Sequence, residues 1–161
     1  MHVAYTEGVA VLAGDALLAE ALRLVLTYDE LEPARELVAA TLGMIGGQYL
    51  DITGADADLA TLHRLKTGRL FAAAVGLGLW AAAVPALEQP PWRRFGDEVG
   101  LLFQLVDDVL DSDGYAARVG EEAARELVRK GSARVGSALR AIDADTSVLA
   151  AIADALASRT A

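Results

Sequence analysis

One run of residues is dense enough in polar atoms to do chemistry: Phe103-Gln104-Leu105-Val106-Asp107-Asp108-Val109-Leu110-Asp111. At about 100° per residue, Gln104, Asp107, Asp108 and Asp111 fall within one arc of a helix, and the apolar residues take the rest. An amphipathic helix with a solvated acidic face explains that pattern. Three carboxylates at i, i+3 and i+4 spacing repel one another, however, and no Lys or Arg stands at i+4 to compensate. Clustered carboxylate oxygens are what Mg2+ takes, completing its octahedron with water and substrate phosphates. On spacing alone, a magnesium site and a solvated face both remain open.

Two further clusters have a polar role within reach. In Gly46-Gly47-Gln48-Tyr49-Leu50-Asp51, Gln48 and Asp51 lie one turn apart on a face shared with Met44. A satisfied polar pair inside a bundle is the competing explanation. Lys66-Thr67 falls at an expected helix junction, where a cation beside free backbone N–H groups suits an anionic ligand. A surface lysine followed by a capping threonine would look the same. His2 is terminal, and His63 has no second ligand at a suggestive spacing. No Ser–His–Asp arrangement and no phosphate-cradling glycine loop is visible.

The elements that must carry these residues read as helices. The 161 residues suit one domain, and 54% of them are hydrophobic, with only four prolines. The expected helices run from about Glu7 to Thr27, from Pro33 to Thr53-Gly54, and from a cap at Asp56 to Lys66. The apolar helix then opens at Thr67 or Gly68. Gln89-Pro90-Pro91 breaks the chain, Trp92 to Ser112 follows, and Gly114 interrupts before a helix from Ala116 to Arg140. Asp145 or Thr146 caps a last helix ending near Ser158. Leu70 to Leu87 carries no charge, but half of it is Ala or Gly and Pro85 stands near its end. That segment suits close packing in a bundle better than a membrane span. Gly43, Gly46 and Gly47, with Gly76 and Gly78, allow close helix approach or space for a ligand.

Charge and cysteine content exclude several classes. With 23 acids, 14 bases and a net charge of −9, the chain lacks the basic face that a nucleic-acid binder needs. The absence of cysteine removes disulfides and thiolate metal sites. The start, from Met1 to Glu7, has no basic leader pattern, so a cytoplasmic setting is expected.

Taken in order, these clusters resemble the trans-isoprenyl diphosphate synthases, or polyprenyl synthetases, from about His2 to Asp113. Val11-Leu12-Ala13-Gly14-Asp15-Ala16-Leu17-Leu18 looks like the helix after the family's first aspartate-rich motif. Gly46-Gly47-Gln48-Tyr49-Leu50-Asp51 is similar to its G-Q-x-x-D segment, and Lys66-Thr67-Gly68 to its K-T motif. Phe103-Gln104-x-x-Asp107-Asp108-x-x-Asp111 resembles the second aspartate-rich motif. The resemblance implies an all-α bundle of the isoprenoid synthase type, a homodimer, and Mg2+-dependent transfer of an allylic diphosphate's prenyl group to isopentenyl diphosphate. By position it implies that Asp107 and Asp111 bind Mg2+, with Asp108 in support, and that Lys66 contacts the diphosphate. Thr67, Gln48 and Gln104 would line the cavity near the developing allylic cation, and Asp51 would orient the polar network.

The departures carry equal weight. Family members are about twice as long, and the chain shows no counterpart of the first aspartate-rich motif or of the arginines for isopentenyl diphosphate. After Asp113 the sequence Gly114-Tyr115-Ala116-Ala117-Arg118-Val119-Gly120 has no lysine where the family often has one. The expectation is therefore one domain, residues 1–161, forming the C-terminal portion of the fold and inactive alone. It would work with a complementary N-terminal half or as a homo-oligomer. A non-catalytic partner of an active synthase, a class I terpene cyclase and a purely structural bundle are the alternatives.

Overall fold

The computed structural model describes residues 3–54 and 58–160, and the elements among them are all helical. Thr6 caps α1 (Glu7–Val25), its side-chain oxygen accepting from the Val9 N–H at 3.3 Å. Pro33 sits in the first turn of α2 (Glu32–Thr53), where its missing N–H costs nothing, and Gly54 ends the helix at φ 63°. The expected cap Asp56 lies outside the described residues. Asp58 caps α3 (Leu59–His63) instead, accepting from the Thr61 N–H at 2.9 Å.

The chain then departs from expectation. No junction occurs at Lys66-Thr67: α3 runs through a π-helical stretch, Arg64–Gly68, directly into α4 (Arg69–Ala81). The Arg69 N–H reaches back to the Arg64 carbonyl, so no free helix start is offered to an anion there. No proline stands in that stretch to break it, and the Thr67 hydroxyl bonds Gln104 rather than capping a helix start. After a short 3-10 turn (Ala86–Glu88), α5 begins at Gln89 and runs to Asp111. Pro90 and Pro91 form its first turn rather than preceding it, because the first helical N–H groups need no partner. The expected helix from Ala116 to Arg140 is two: α6 (Gly114–Val119) and α7 (Glu121–Arg140), split at Gly120, whose φ of 87° a helix cannot contain. α8 (Ser147–Ser158) closes the chain, with Asp145 accepting from the Ser147 N–H at 2.9 Å.

α5 is the central helix. One face, with Phe95, Val99, Leu102, Leu105, Val106 and Val109, packs against Val128, Val135 and Leu139 of α7, with α6 and α8 completing this core. Its other side meets α4, which in turn meets α2. Close approach is built in where the π-helical stretch before α4 meets α5 and α2. A Cβ at Gly100 would lie 3.0 Å from the Gly68 Cα, and one at Gly47 would run into the Lys66 backbone, 2.8 Å from its Cα. Around Gly46 and Gly78, by contrast, the space is open. A polar tie joins the same three helices: Arg93 grips Glu36 through two hydrogen bonds of 2.7 and 3.2 Å, and Trp80 donates to Glu36 at 3.1 Å. Among the described residues, no helix is long and apolar enough to cross a membrane.

Candidate active site

The last two turns of α5 carry Gln104, Asp107, Asp108 and Asp111, and the structure divides them between inside and outside. Asp108 is turned inward, 1% exposed. Its Oδ1 accepts from Gln104 Nε2 at 2.9 Å, and its Oδ2 accepts from the Tyr115 backbone N–H at 2.8 Å. The chain can fold back over this carboxylate because residue 114 is glycine: its φ is 47°, and a Cβ there would collide with the Asp108 oxygens. His63 lies on the same carboxylate, Nε2 to Oδ2 3.6 Å, and is itself 4% exposed. Burial pushes the imidazole below its ordinary value, against the opposing pull of the Asp108 charge, and among the described residues Nδ1 has no hydrogen-bond partner.

The inner network crosses to the K-T segment. Thr67 Oγ1 donates to Gln104 Oε1 at 2.8 Å, so a residue of the π-helical stretch is fastened to α5 one turn from Asp107 and Asp108. π-helical turns inside α-helices recur at functional sites, where they re-aim one or two side chains. Lys66, the next residue back, points its ammonium at Asp51 of α2 and donates to Oδ2 at 2.6 Å, each side chain about one-third exposed. Gln48 stands one turn before Asp51, exposed, and takes no part in these hydrogen bonds.

Asp107 and Asp111 face outward, the first half-buried and the second exposed. Burial raises the Asp107 carboxyl above its ordinary value; Arg159 opposes this, and the charges of Asp111, Asp108 and Asp113 add to it. Asp113 is raised by burial first, then by Asp108 and Asp111. Mutual repulsion that raises carboxyl affinities for protons also favours a divalent cation. Arg159, at the end of α8, lies 3.8 Å from Asp107 and supplies the counter-charge that local sequence spacing lacked.

Among the described residues, no group of three His, Asp or Glu side chains converges as a metal cage. Asp108 has its oxygens engaged in the interior, while Asp107 and Asp111 present the two carboxylates that a Mg2+ ion needs from a protein when substrate phosphates and water fill its other positions. Those two residues fit such an ion. Of the site residues read from sequence, Lys66 meets Asp51, Thr67 meets Gln104 and Gln104 meets Asp108, while Gln48 stays apart. Three participants escaped sequence reasoning. His63 stands three residues before Lys66, close in sequence to the K-T segment, but its turn toward α5 depends on tertiary contacts. Tyr115 contributes a backbone N–H, and Arg159 arrives from another helix, so neither leaves a mark in local spacing.

The chain matches the sequence model described as polyprenyl synthetase over residues 1–158. It is 35% identical over 141 residues to a geranylgeranyl diphosphate synthase of Cyanophora paradoxa, covering 78% of this chain and 47% of that protein. It is 35% identical over 146 residues to the heterodimeric geranylgeranyl pyrophosphate synthase large subunit 1 of Arabidopsis thaliana, covering 79% of this chain and 39% of that one. Among solved structures, an FPP/GFPP synthase from Zymomonas mobilis superposes with a TM-score of 0.78 at 26% identity, over 96% of this chain and 63% of that one. The chain thus spans about half the length of the relatives that it matches.

Proposed function

The chain belongs to the polyprenyl synthetase family, and on that premise we propose that it forms one wall of a Mg2+-dependent prenyltransferase site. The reaction is condensation of an allylic diphosphate with isopentenyl diphosphate. The observation that carries this reading is the Thr67–Gln104 hydrogen bond, 2.8 Å long, which joins segments 37 residues apart and sets Lys66 beside the helix bearing Asp107 and Asp111.

Bound at Asp107 and Asp111, Mg2+ would supply positive charge to the departing diphosphate. The remaining work falls to the chain's own side chains. The Lys66 ammonium is paired with Asp51 in the free protein, and a diphosphate, carrying more charge than one carboxylate, replaces Asp51 on it. Thr67 directs its hydroxyl proton to Gln104, which leaves the oxygen's lone pairs free to face a developing allylic cation. Those dipoles are fixed before reaction, and preorganised dipoles favour a charge that appears only in the transition state. Asp51 orients the Lys66 ammonium from the α2 side, and Gln48 stands one turn before it on the same helix.

Because the chain spans about half of its relatives, we propose that it acts within a larger catalytic unit, with a second copy or a complementary N-terminal half, and we place that unit in the cytoplasm. Alone it binds an allylic diphosphate weakly, only with Mg2+, and makes no prenyl product. Removing half of the charge that stabilises a leaving group costs several orders of magnitude in rate. The test is complementation with a separately expressed N-terminal half that bears an aspartate-rich motif. Turnover should return on mixing and vanish again with Asp107→Ala. Robust condensation by this chain alone, in a preparation free of host synthase, would show that the second half is dispensable.

A further inference from the structure

We propose that His63 is a positioning residue, buried against Asp108 so that the Lys66–Thr67 segment keeps its register on α5. The role given to Lys66 and Thr67 rests on the prenyltransferase reading above; the contact itself rests on geometry.

His63 is the last residue of α3, and the π-helical stretch begins at the next residue. A π turn does not follow the repeating i→i+4 ladder, so its register has to be fixed from outside. On the α5 side two ties do this, and both end on one carboxylate. Thr67 reaches Asp108 through Gln104, with links of 2.8 and 2.9 Å. His63 reaches it directly, 3.6 Å from Nε2 to Oδ2. Lys66 lies between these two anchors. The imidazole is further confined by Tyr115, which meets it edge to face at 5.3 Å between ring centroids and 72° between planes, while the Tyr115 N–H holds Asp108 from the other side.

At 3.6 Å the His63–Asp108 contact is longer than a hydrogen bond. It is a charge–dipole contact in a site where both side chains are nearly dry, and low dielectric strengthens it. The tautomer follows. With the proton on Nε2, the N–H faces the carboxylate and a lone pair, not an N–H, is left at the buried Nδ1, which has no hydrogen-bond partner among the described residues. The other tautomer would bury an unsatisfied N–H at Nδ1 and set a lone pair against Oδ2. A histidine that merely filled space would not need to present this nitrogen to Asp108.

The test compares the wild-type chain with His63→Leu and His63→Gln. Leucine fills the volume, whereas glutamine also returns a donor nitrogen at the reach of Nε2. Hydrogen exchange over Arg64–Gly68 and calorimetric binding of inorganic pyrophosphate in Mg2+ are read on all three. His63→Leu should raise exchange in that stretch and weaken pyrophosphate by about tenfold, the usual cost of losing a residue behind a binding group. His63→Gln should return both to near wild type. Equal behaviour of all three proteins, or a glutamine variant as impaired as leucine, overturns the proposal. If the wild-type chain does not bind pyrophosphate, the prenyltransferase reading fails, while the exchange difference between leucine and glutamine still decides the role of His63. Should a variant not fold, nitrogen-15 NMR of the wild-type histidines decides: a proton on Nε2 of His63 is expected, and a proton on Nδ1 overturns it.

Discussion

Consecutive helix residues point about 100° apart, and at Asp107 and Asp108 that angle separates solvent from core. The helical arc of the three acids was legible, and the family resemblance set Asp108 apart as a supporting acid; that Asp108 is interior was not legible. Its inward turn depends on Tyr115 and His63, which come from other segments. The two residues should therefore respond oppositely to loss of charge. Asp107→Asn removes a carboxylate whose burial disfavours ionisation, so the denaturation midpoint at neutral pH should not fall, while Mg2+-dependent pyrophosphate binding should disappear. Asp108→Asn sets an amide nitrogen against either Gln104 Nε2 or the Tyr115 N–H and should cost about 2 kcal/mol in urea denaturation. The buried imidazole adds a pH dependence. Burial holds the His63 pKa below its ordinary 6.5, so below that pH the unfolded chain binds a proton that the native chain refuses. Stability contributed by this residue is thus present above pH 6.5 and declines as pH falls below it. Denaturant midpoints at pH 7.5 and 5.5 should show that loss in the wild type and a smaller one in His63→Gln.

At the scale of elements, the central helix was legible because its apolar residues recur with helical period from Phe95 to Val109. Leu102 and Val106 are fully enclosed, so position within that stripe has a measurable cost. Leu102→Ala should destabilise by about 3 kcal/mol in urea denaturation, since the α7 side chains around it cannot collapse into the space. Leu87→Ala, at a side chain 95% exposed, should change stability by less than about 0.5 kcal/mol. The π-helical stretch was not legible. Arg64-Leu65-Lys66-Thr67-Gly68 contains nothing that differs from an ordinary helical turn, and tertiary contacts with α2 and α5 set its geometry. The Gly120 break was missed for a related reason: glycine inside a helix is tolerated often enough that one alone does not announce a left-handed φ.

For the whole molecule, the informative surface is the one formed by α1 and α2. Only Val25 of α1 is buried, while Leu12 is 68% and Leu17 72% exposed, and on α2 Tyr49 is 66% and Ile52 76% exposed. A 19-residue helix lightly packed on one neighbour is marginal in water, because most helical stability in proteins comes from burying an apolar face. Apolar surface of this extent is ordinarily covered by a partner. Homo-oligomerisation, or docking of a complementary half, supplies such a cover, and a single experiment separates them from an exposed monomer. In sedimentation at micromolar concentration the chain alone should run larger than its 16.8 kDa mass. Leu17→Glu should shift it toward that mass, because a carboxylate buried in an apolar interface without a partner opposes association strongly. Circular dichroism should remain mostly helical, since Leu17 contributes little to the fold of the single chain. If addition of an N-terminal half replaces the self-associated form with a mixed complex, the two partners share this face. A wild-type chain that sediments as a sharp monomer and binds no apolar dye would show instead that α1 and α2 need no cover.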